Sequence, residues 1–208
     1  MKLLNYFIFL LSFFCISAVA ATPSPMAMLQ TTSDQMIAKL NAEKTTMKNN
    51  PQKVFAIVHE ILLPNVDRAY MSKSVVGRTA WASASPADQN AFVDQFTELL
   101  IRTYASALAS YSNQTVQFFP IRGGYEGQTQ VTVQSQILQP GGPPIPMTYR
   151  LMLEGNQWKV VDFSVDNVSI VENYRAQFAS DLNQGNLSTL TKKLTGHNQA
   201  LAKGEASS

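Results

Sequence analysis

Apolar positions recur every three or four residues through the first half of the chain, and every second residue through most of the second half. The first period is that of a helix with one buried side, the second that of a strand with one buried face. Ser33-Asp34 can start a helix that turns Met36, Ile37, Leu40 and Met47 inward. Pro51 can open another, with Val54, Phe55, Val58, Ile61 and Leu62 on its apolar side, and Pro64 stops it. The strongest pattern runs from Ser85 to Tyr111. Ser85 is the N-cap, Pro86 stands in the first turn, and Asp88 is placed like the acidic partner of a capping box. Phe92, Phe96, Leu100, Tyr104, Leu108 and Tyr111 follow as one bulky stripe.

Strands are predicted over 115–122, 128–138, 145–154 and 157–165, joined by turns rich in Gly, Pro and Asn. In the second, Val131, Val133 and Ile137 face one way, while Gln130, Thr132, Gln134 and Gln136 face the other. In the third, Ile145, Met147, Tyr149, Leu151 and Leu153 form a continuous apolar face. Helical periodicity then returns, with Val171, Tyr174, Phe178 and Leu182 in one stripe and Leu187, Leu190 and Leu194 in a shorter one. This order predicts an α+β fold: a twisted antiparallel sheet of about four to five strands packed against several helices. If helices fill the apolar sheet face, it is core; if they do not, it is the wall of a pocket. Periodicity leaves both open, although Met and Tyr side chains suit a cavity that must accept variable shapes.

The chain opens with Lys2, an apolar run from Leu3 to about Ile16, and the small-x-small end Ala18-Val19-Ala20. That order reads as a cleavable signal peptide over 1–20, followed by a leader at 21–30, a single domain at 31–196 and a flexible tail at 197–208. Cys15 lacks the small preceding residue of a lipidation site, and as the sole cysteine it would leave with the signal. The exported chain would then hold together without a disulfide. Of the 16 basic residues Lys2 also leaves, so 15 stand against 14 acidic ones, a net charge of +1. No basic run marks nucleic acid or an anionic membrane surface as a partner.

Catalytic parts are sparse. His59 falls within a helix and His197 in the tail, so they do not form a metal or acid–base pair, and no metal or other cofactor is expected. There is no G-x-S-x-G elbow, and the GGY and PGGPP segments lack the helix that a phosphate loop needs. Asp162 and Asp166 share a strand face about 13 Å apart, too far for a carboxylate dyad. Asp162 alone could still act as a general base on a small apolar substrate in an exported, cone-shaped α+β enzyme. Otherwise it is a polar-face residue beside Arg150.

Four segments carry a resemblance: "MSKSVVGRTAW" (71–81), "FVDQFTELLIRTYASAL" (92–108), "ILQPGGPPIPMTYRL" (137–151) and "QWKVVDFSVDNVSIVENYRAQF" (157–178). From about residue 35 to 195 the chain resembles the periplasmic phospholipid-binding component of Mla-type lipid transport, also described as toluene-tolerance auxiliary proteins. It departs at Val161, where that family tends to have Tyr, and at Asp166-Asn167, where it tends to have Glu-Gly.

The resemblance implies a non-enzymatic, monomeric carrier in the periplasm that holds phospholipid acyl tails in an apolar pocket between sheet and helices. Its implied partners are the phospholipid, an outer-membrane lipoprotein–porin complex, and an inner-membrane ABC transporter complex with a hexameric lipid-binding ring. By motif position the implied lipid-binding residues are Phe96, Leu100, Tyr104 and Leu108 from the long helix, Met147, Tyr149 and Leu151 from the third strand, and Phe163, Val165, Val168 and Ile170 after it. Tyr174 and Arg175 read as structural, fixing the last helix to the sheet. Gly77 is expected to supply a close approach or a positive φ.

Overall fold

The computed structural model describes residues 23–203 apart from 51, 111 and 112, so the expected signal peptide, Pro51 and Tyr111 lie outside the described residues. Helix α1 (Pro25–Ala42) begins well ahead of Ser33. The Ser24 hydroxyl accepts from Ala27 N at 3.2 Å and Pro25 occupies the first turn, a stronger start than the one the apolar period marks. Leu29 and Thr32 of this helix are buried, with Leu29 ahead of the expected domain boundary at 31. Helix α2 (Lys44–Asn49) and α3 (Lys53–Ile57) follow; α3 runs on into a π turn, Val58–Leu62, and a 3-10 turn, Leu63–Asn65, that contains Pro64.

Helix α4 (Arg68–Ser83) is one that the apolar pattern did not single out. Asp67 caps it by accepting from Tyr70 N at 2.8 Å. Gly77 interrupts it at φ 82°, ψ 164°, a conformation essentially restricted to glycine, and a Cβ there would meet nothing within 4 Å. The glycine is therefore needed for its dihedral angles and not for a close approach. Arg175 grips the break: its Nε and Nη2 both donate to Ser74 O, at 3.0 and 2.7 Å. Thus Arg175 ties the sixth helix to α4, where a tie to the sheet was expected.

Helix α5 (Pro86–Ala109) starts as predicted, with Ser85 Oγ accepting from Asp88 N at 3.1 Å. The Asp88 carboxylate accepts from the Ser85 hydroxyl at 2.7 Å, which holds its pKa below the usual 3.8. Five antiparallel strands follow as an open meander in the order 1-2-3-4-5: β1 (Thr115–Phe118), β2 (Gln130–Leu138), β3 (Ile145–Glu154), β4 (Gln157–Val165) and β5 (Val168–Ser169). β3 and β4 have the expected bounds; β1 is shorter, ending just before Pro120, which has no N–H for the ladder. Asp166 and Asn167, at φ 50° and 65°, make the two-residue turn into β5, and both positive angles suit the twist of a hairpin.

Helix α6 (Ile170–Gln184) is capped by Ser169, which accepts from Glu172 N at 3.1 Å. Helix α7 (Leu187–Lys203) extends into the stretch expected to be a flexible tail. There Asn198, only 4% exposed, donates to Gln95 O and Oε1 at 2.9 and 3.1 Å, fastening the helix to α5.

Three apolar clusters hold the molecule together. Helices α4 to α7 share one, centred on Phe92, Phe96, Tyr174 and Phe178. The helices before α4 pack Met36, Leu40, Val54 and Ile57 against Ile101 of α5. The third lies on the sheet, where Leu29 of α1 covers Val131, Val133, Leu151, Trp158 and Val160. Trp158 Nε1 donates to Pro23 O at 2.8 Å, and Asp67 N donates to Val160 O at 3.0 Å. Those bonds clamp both ends of the N-terminal helical half onto β4.

Candidate functional site

Residues paired across neighbouring strands point to the same side of a sheet. The register therefore assembles the apolar face in rows. The first is Val116, Ile137 and Ile145; the second is Phe118, Ser135, Met147, Val165 and Val168, spanning all five strands. The third is Val133, Tyr149 and Phe163, and the fourth Val131, Leu151 and Val160. From the first row to the fourth is about 20 Å at strand rise.

Burial changes steadily along this face. In the fourth row every side chain is buried, with Leu151 at 0% exposure. In the third, Val133 is buried but Tyr149 and Phe163 are half-buried. The first row is half-buried throughout, and Val168 at the end of the second is 54% exposed. The face is plugged at one end and open at the other. Large apolar side chains left half-covered in adjoining rows form a contiguous apolar surface, which is a different thing from scattered exposed residues.

Tyr104 reaches this face from α5, with its ring centroid 6.1 Å from that of Phe163. Phe118 lies 6.2 Å from Tyr149 on the other flank. Of the residues expected to bind lipid, Tyr104, Met147, Tyr149, Phe163, Val165 and Val168 thus adjoin the open part, and Leu151 sits at its sealed floor. The structure does not bring the others to the sheet face. Phe96, 1% exposed, stacks on Phe92 at 5.7 Å and meets Tyr174 edge-on at 5.2 Å inside the helical core. Leu100 and Ile170 belong to that core or its margin, and Leu108 packs against the cluster of the first three helices. Val116, Phe118, Val133, Ser135, Ile137 and Ile145 complete the surface. Their sequence signal is parity: Val133 and Ser135 stand opposite Tyr149 and Met147, and the others continue the same alternation along or across the strands.

Two hydroxyls interrupt the rows of this sheet face, apart from that of Tyr104 on α5. Ser135, 2% exposed, donates to Tyr149 OH at a long 3.5 Å. Burial pushes the Tyr149 phenol above its usual 10.0, against the smaller lowering effect of Ser135, so it is neutral and keeps its proton at ordinary pH. Burial likewise raises Tyr104.

Asp162 has a different task from the general base considered above. It is 5% exposed, accepts from Ser169 Oγ at 2.7 Å and from Val171 N at 3.1 Å, and has Arg150 Nη2 at 3.8 Å. Both carboxylate oxygens are engaged in seating the N-terminus of α6, a favourable place for negative charge. Neither is presented to the open apolar surface. Nor is Asp162 on a solvated face, because α6 covers it. A separate cleft of about 360 Å³ lies between α5 and α7, lined by polar residues including Asp94, Glu98, Arg102 and Asn198. None of the expected lipid-binding residues lines it, and its charge makes it unsuited to hydrocarbon. Among the described residues no helix is long and apolar enough to cross a membrane.

Residues 30–196 match the MlaC protein family. The chain belongs to the MlaC family. It is 30% identical over 194 residues to toluene tolerance protein ttg2D of Pseudomonas putida, covering 93% of this chain and 88% of that one. It is 28% identical over 190 residues to the intermembrane phospholipid transport system binding protein MlaC of Haemophilus influenzae, covering 89% and 88%. Its fold is that of a phospholipid-binding protein from Ralstonia solanacearum solved in complex with a phospholipid: TM-score 0.81, 33% identity, covering 86% of this chain and 99% of that one. The positions where the resemblance leads us to expect other residues fall at two irregular places. Val161 is the extra residue of β4 at the register shift opposite Arg150 and Leu151, and Asp166-Asn167 is the β4–β5 turn. Neither disturbs the rows of the open face.

Proposed function

We propose that this protein is a periplasmic phospholipid carrier that holds acyl tails against the open part of its sheet face and leaves the headgroup at the mouth. One observation carries the reading: a contiguous apolar surface sealed at the Leu151 end and uncovered at the Val168 end, in a chain that shares its fold with a protein solved with phospholipid. Burying a methylene is worth about 0.8 kcal/mol, so a chain of about sixteen carbons gains on the order of 12 kcal/mol on leaving water. A bilayer supplies the same gain, and only the difference sets direction. Escape through water is accordingly slow, and transfer requires a partner that offers a continuous apolar path.

The carrier reading extends to the route suggested by the family: between an outer-membrane lipoprotein–porin complex and an inner-membrane ABC transporter complex with a hexameric lipid-binding ring. The protein acts as a monomer with lipid as cargo, and lipid transfer involves no bond making or breaking. The near-neutral charge and the apparent export signal support this role.

The test is direct. Protein purified from cells without added lipid is extracted into organic solvent and the extract weighed by mass spectrometry. The carrier reading expects phospholipid near one molecule per chain. A clean extract, together with no uptake from labelled phospholipid vesicles, overturns it.

A further inference from the structure

The apolar rows contain one hydroxyl pair, and its position is informative. Ser135 belongs to the second row from the mouth and Tyr149 to the third, diagonal neighbours on adjacent strands. Everything else in those two rows is hydrocarbon or thioether: Phe118, Met147, Val165, Val168, Val133 and Phe163. Burying hydroxyls in such a wall costs free energy unless they are bonded. The Ser135 to Tyr149 bond, at 3.5 Å, is at the limit of useful length. In it Tyr149 accepts, so the Tyr149 proton has no acceptor among the described residues. Ser135 is buried while Tyr149 is half-buried, so the free donor belongs to the accessible member of the pair.

Going inward from the open end, the rows of the face offer hydroxyls only at this pair, and beyond it lies the sealed apolar floor at Leu151. A diacyl phospholipid has the same order: headgroup, ester carbonyls, hydrocarbon. Ester carbonyl oxygens are acceptors that project from the head of each tail just below the mouth, and a diether, which keeps only the bridging oxygens, lacks them. We propose that Tyr149 is the donor to an acyl ester carbonyl of the bound lipid, with Ser135 as the positioning residue that turns the phenol proton into the groove. The pair then fixes how deep the cargo sits and discriminates ester-linked from ether-linked tails. This rests on the carrier reading above.

Vesicles containing equal amounts of a diester phosphatidylglycerol and its diether analogue with matched chains are mixed with the mature protein, and the lipids captured are counted by mass spectrometry. The wild type is expected to enrich the ester lipid about fivefold, the worth of one net hydrogen bond. Tyr149→Phe, which removes one oxygen, is expected to bring the ratio to parity, and Ser135→Ala to lower it part of the way. The second variant also serves if the first does not fold, since it then must lower the ratio by itself. Capture of both lipids in the vesicle proportion by the wild type overturns the ester inference and leaves the carrier standing, as does an undiminished preference in the folded variants. Capture of neither lipid removes the carrier reading, and this inference with it.

Discussion

Tyr104 and Phe163 meet at 64° with ring centroids 6.1 Å apart, and through this contact the C-terminal half of α5 reaches the sheet. The other aromatic contacts among the described residues lie within or between helices or join strand to strand: Phe92, Phe96, Tyr174 and Phe178 in the first case, Phe118 and Tyr149 in the second. The Tyr104 ring is therefore the side-chain latch over the open part of the face. Its removal gives up an edge-to-face contact worth about 1 kcal/mol. Tyr104→Ala is expected to exchange labelled phospholipid with vesicles several-fold faster than the wild type. Stopped-flow fluorescence measures the rate, and an unchanged rate in a folded variant removes the latch.

Alkaline titration tests the burial of the same surface. Tyr149 and Tyr104 both have pKa values raised above 10.0, first of all by desolvation. A raised folded-state pKa means that the associated stability is fully present below pH 10 and is lost as pH rises through the folded value. Ultraviolet difference titration should find phenol absorbance still changing well above pH 10, and Tyr149→Phe and Tyr104→Phe should each remove part of that late change. Phenols that all ionise together near 10 contradict the burial.

Gly77→Ala isolates backbone strain from packing, since the new methyl group meets no atom within 4 Å. The loss should therefore be the dihedral cost alone, about 1–3 kcal/mol. Arg175→Ala removes the two hydrogen bonds donated to Ser74 O at the same break. The two sites share one structural feature, so their effects on urea midpoint should be less than additive. Simple additivity would mean that Arg175 does not act on the break.

How much of this was legible in the sequence depends on which neighbour a pattern must specify. Period two placed β3 and β4 to the residue because Gly155 and Asn167 supply sharp turns beside clean alternation. Period three to four identified the buried side of α5 but not what lies against it. Phe96 and Tyr104 share one stripe, yet Phe96 faces the aromatic rings of α6 and Tyr104 faces Phe163 of the sheet. Helix α4 escaped notice because Gly77 breaks its period in the middle. Asp162 looked like a residue of the polar face beside Arg150, and nothing local announces that α6 folds back over it.

Asp162 then supports a prediction that separates structure from chemistry. Asp162→Ala leaves Val171 N–H and Ser169 Oγ without their acceptor and takes the counter-charge from Arg150, whose Nε already has no partner. A loss of about 2–4 kcal/mol is expected. Asp162→Asn retains an acceptor and should recover part of it. Thermal unfolding measures both, and equal stability of all three proteins would show that the carboxylate does not hold α6.

The sealed floor and the open mouth should respond oppositely to the same insult. At Leu151, wholly buried among Val131, Val133 and Val160, a carboxylate has no solvent and no partner, so Leu151→Asp should unfold the domain. At Val165, half-buried beside exposed Val168, the same charge can reach water, so the fold should survive with a loss of about 1 kcal/mol. Yet an acyl chain would have to lie against that charge. Val165→Asp is therefore expected to lower phospholipid occupancy at least tenfold while circular dichroism stays native. Full occupancy in folded Val165→Asp protein would move the cargo away from this end of the sheet, because no hydrocarbon tail can cover an ionised carboxylate without losing more than it gains.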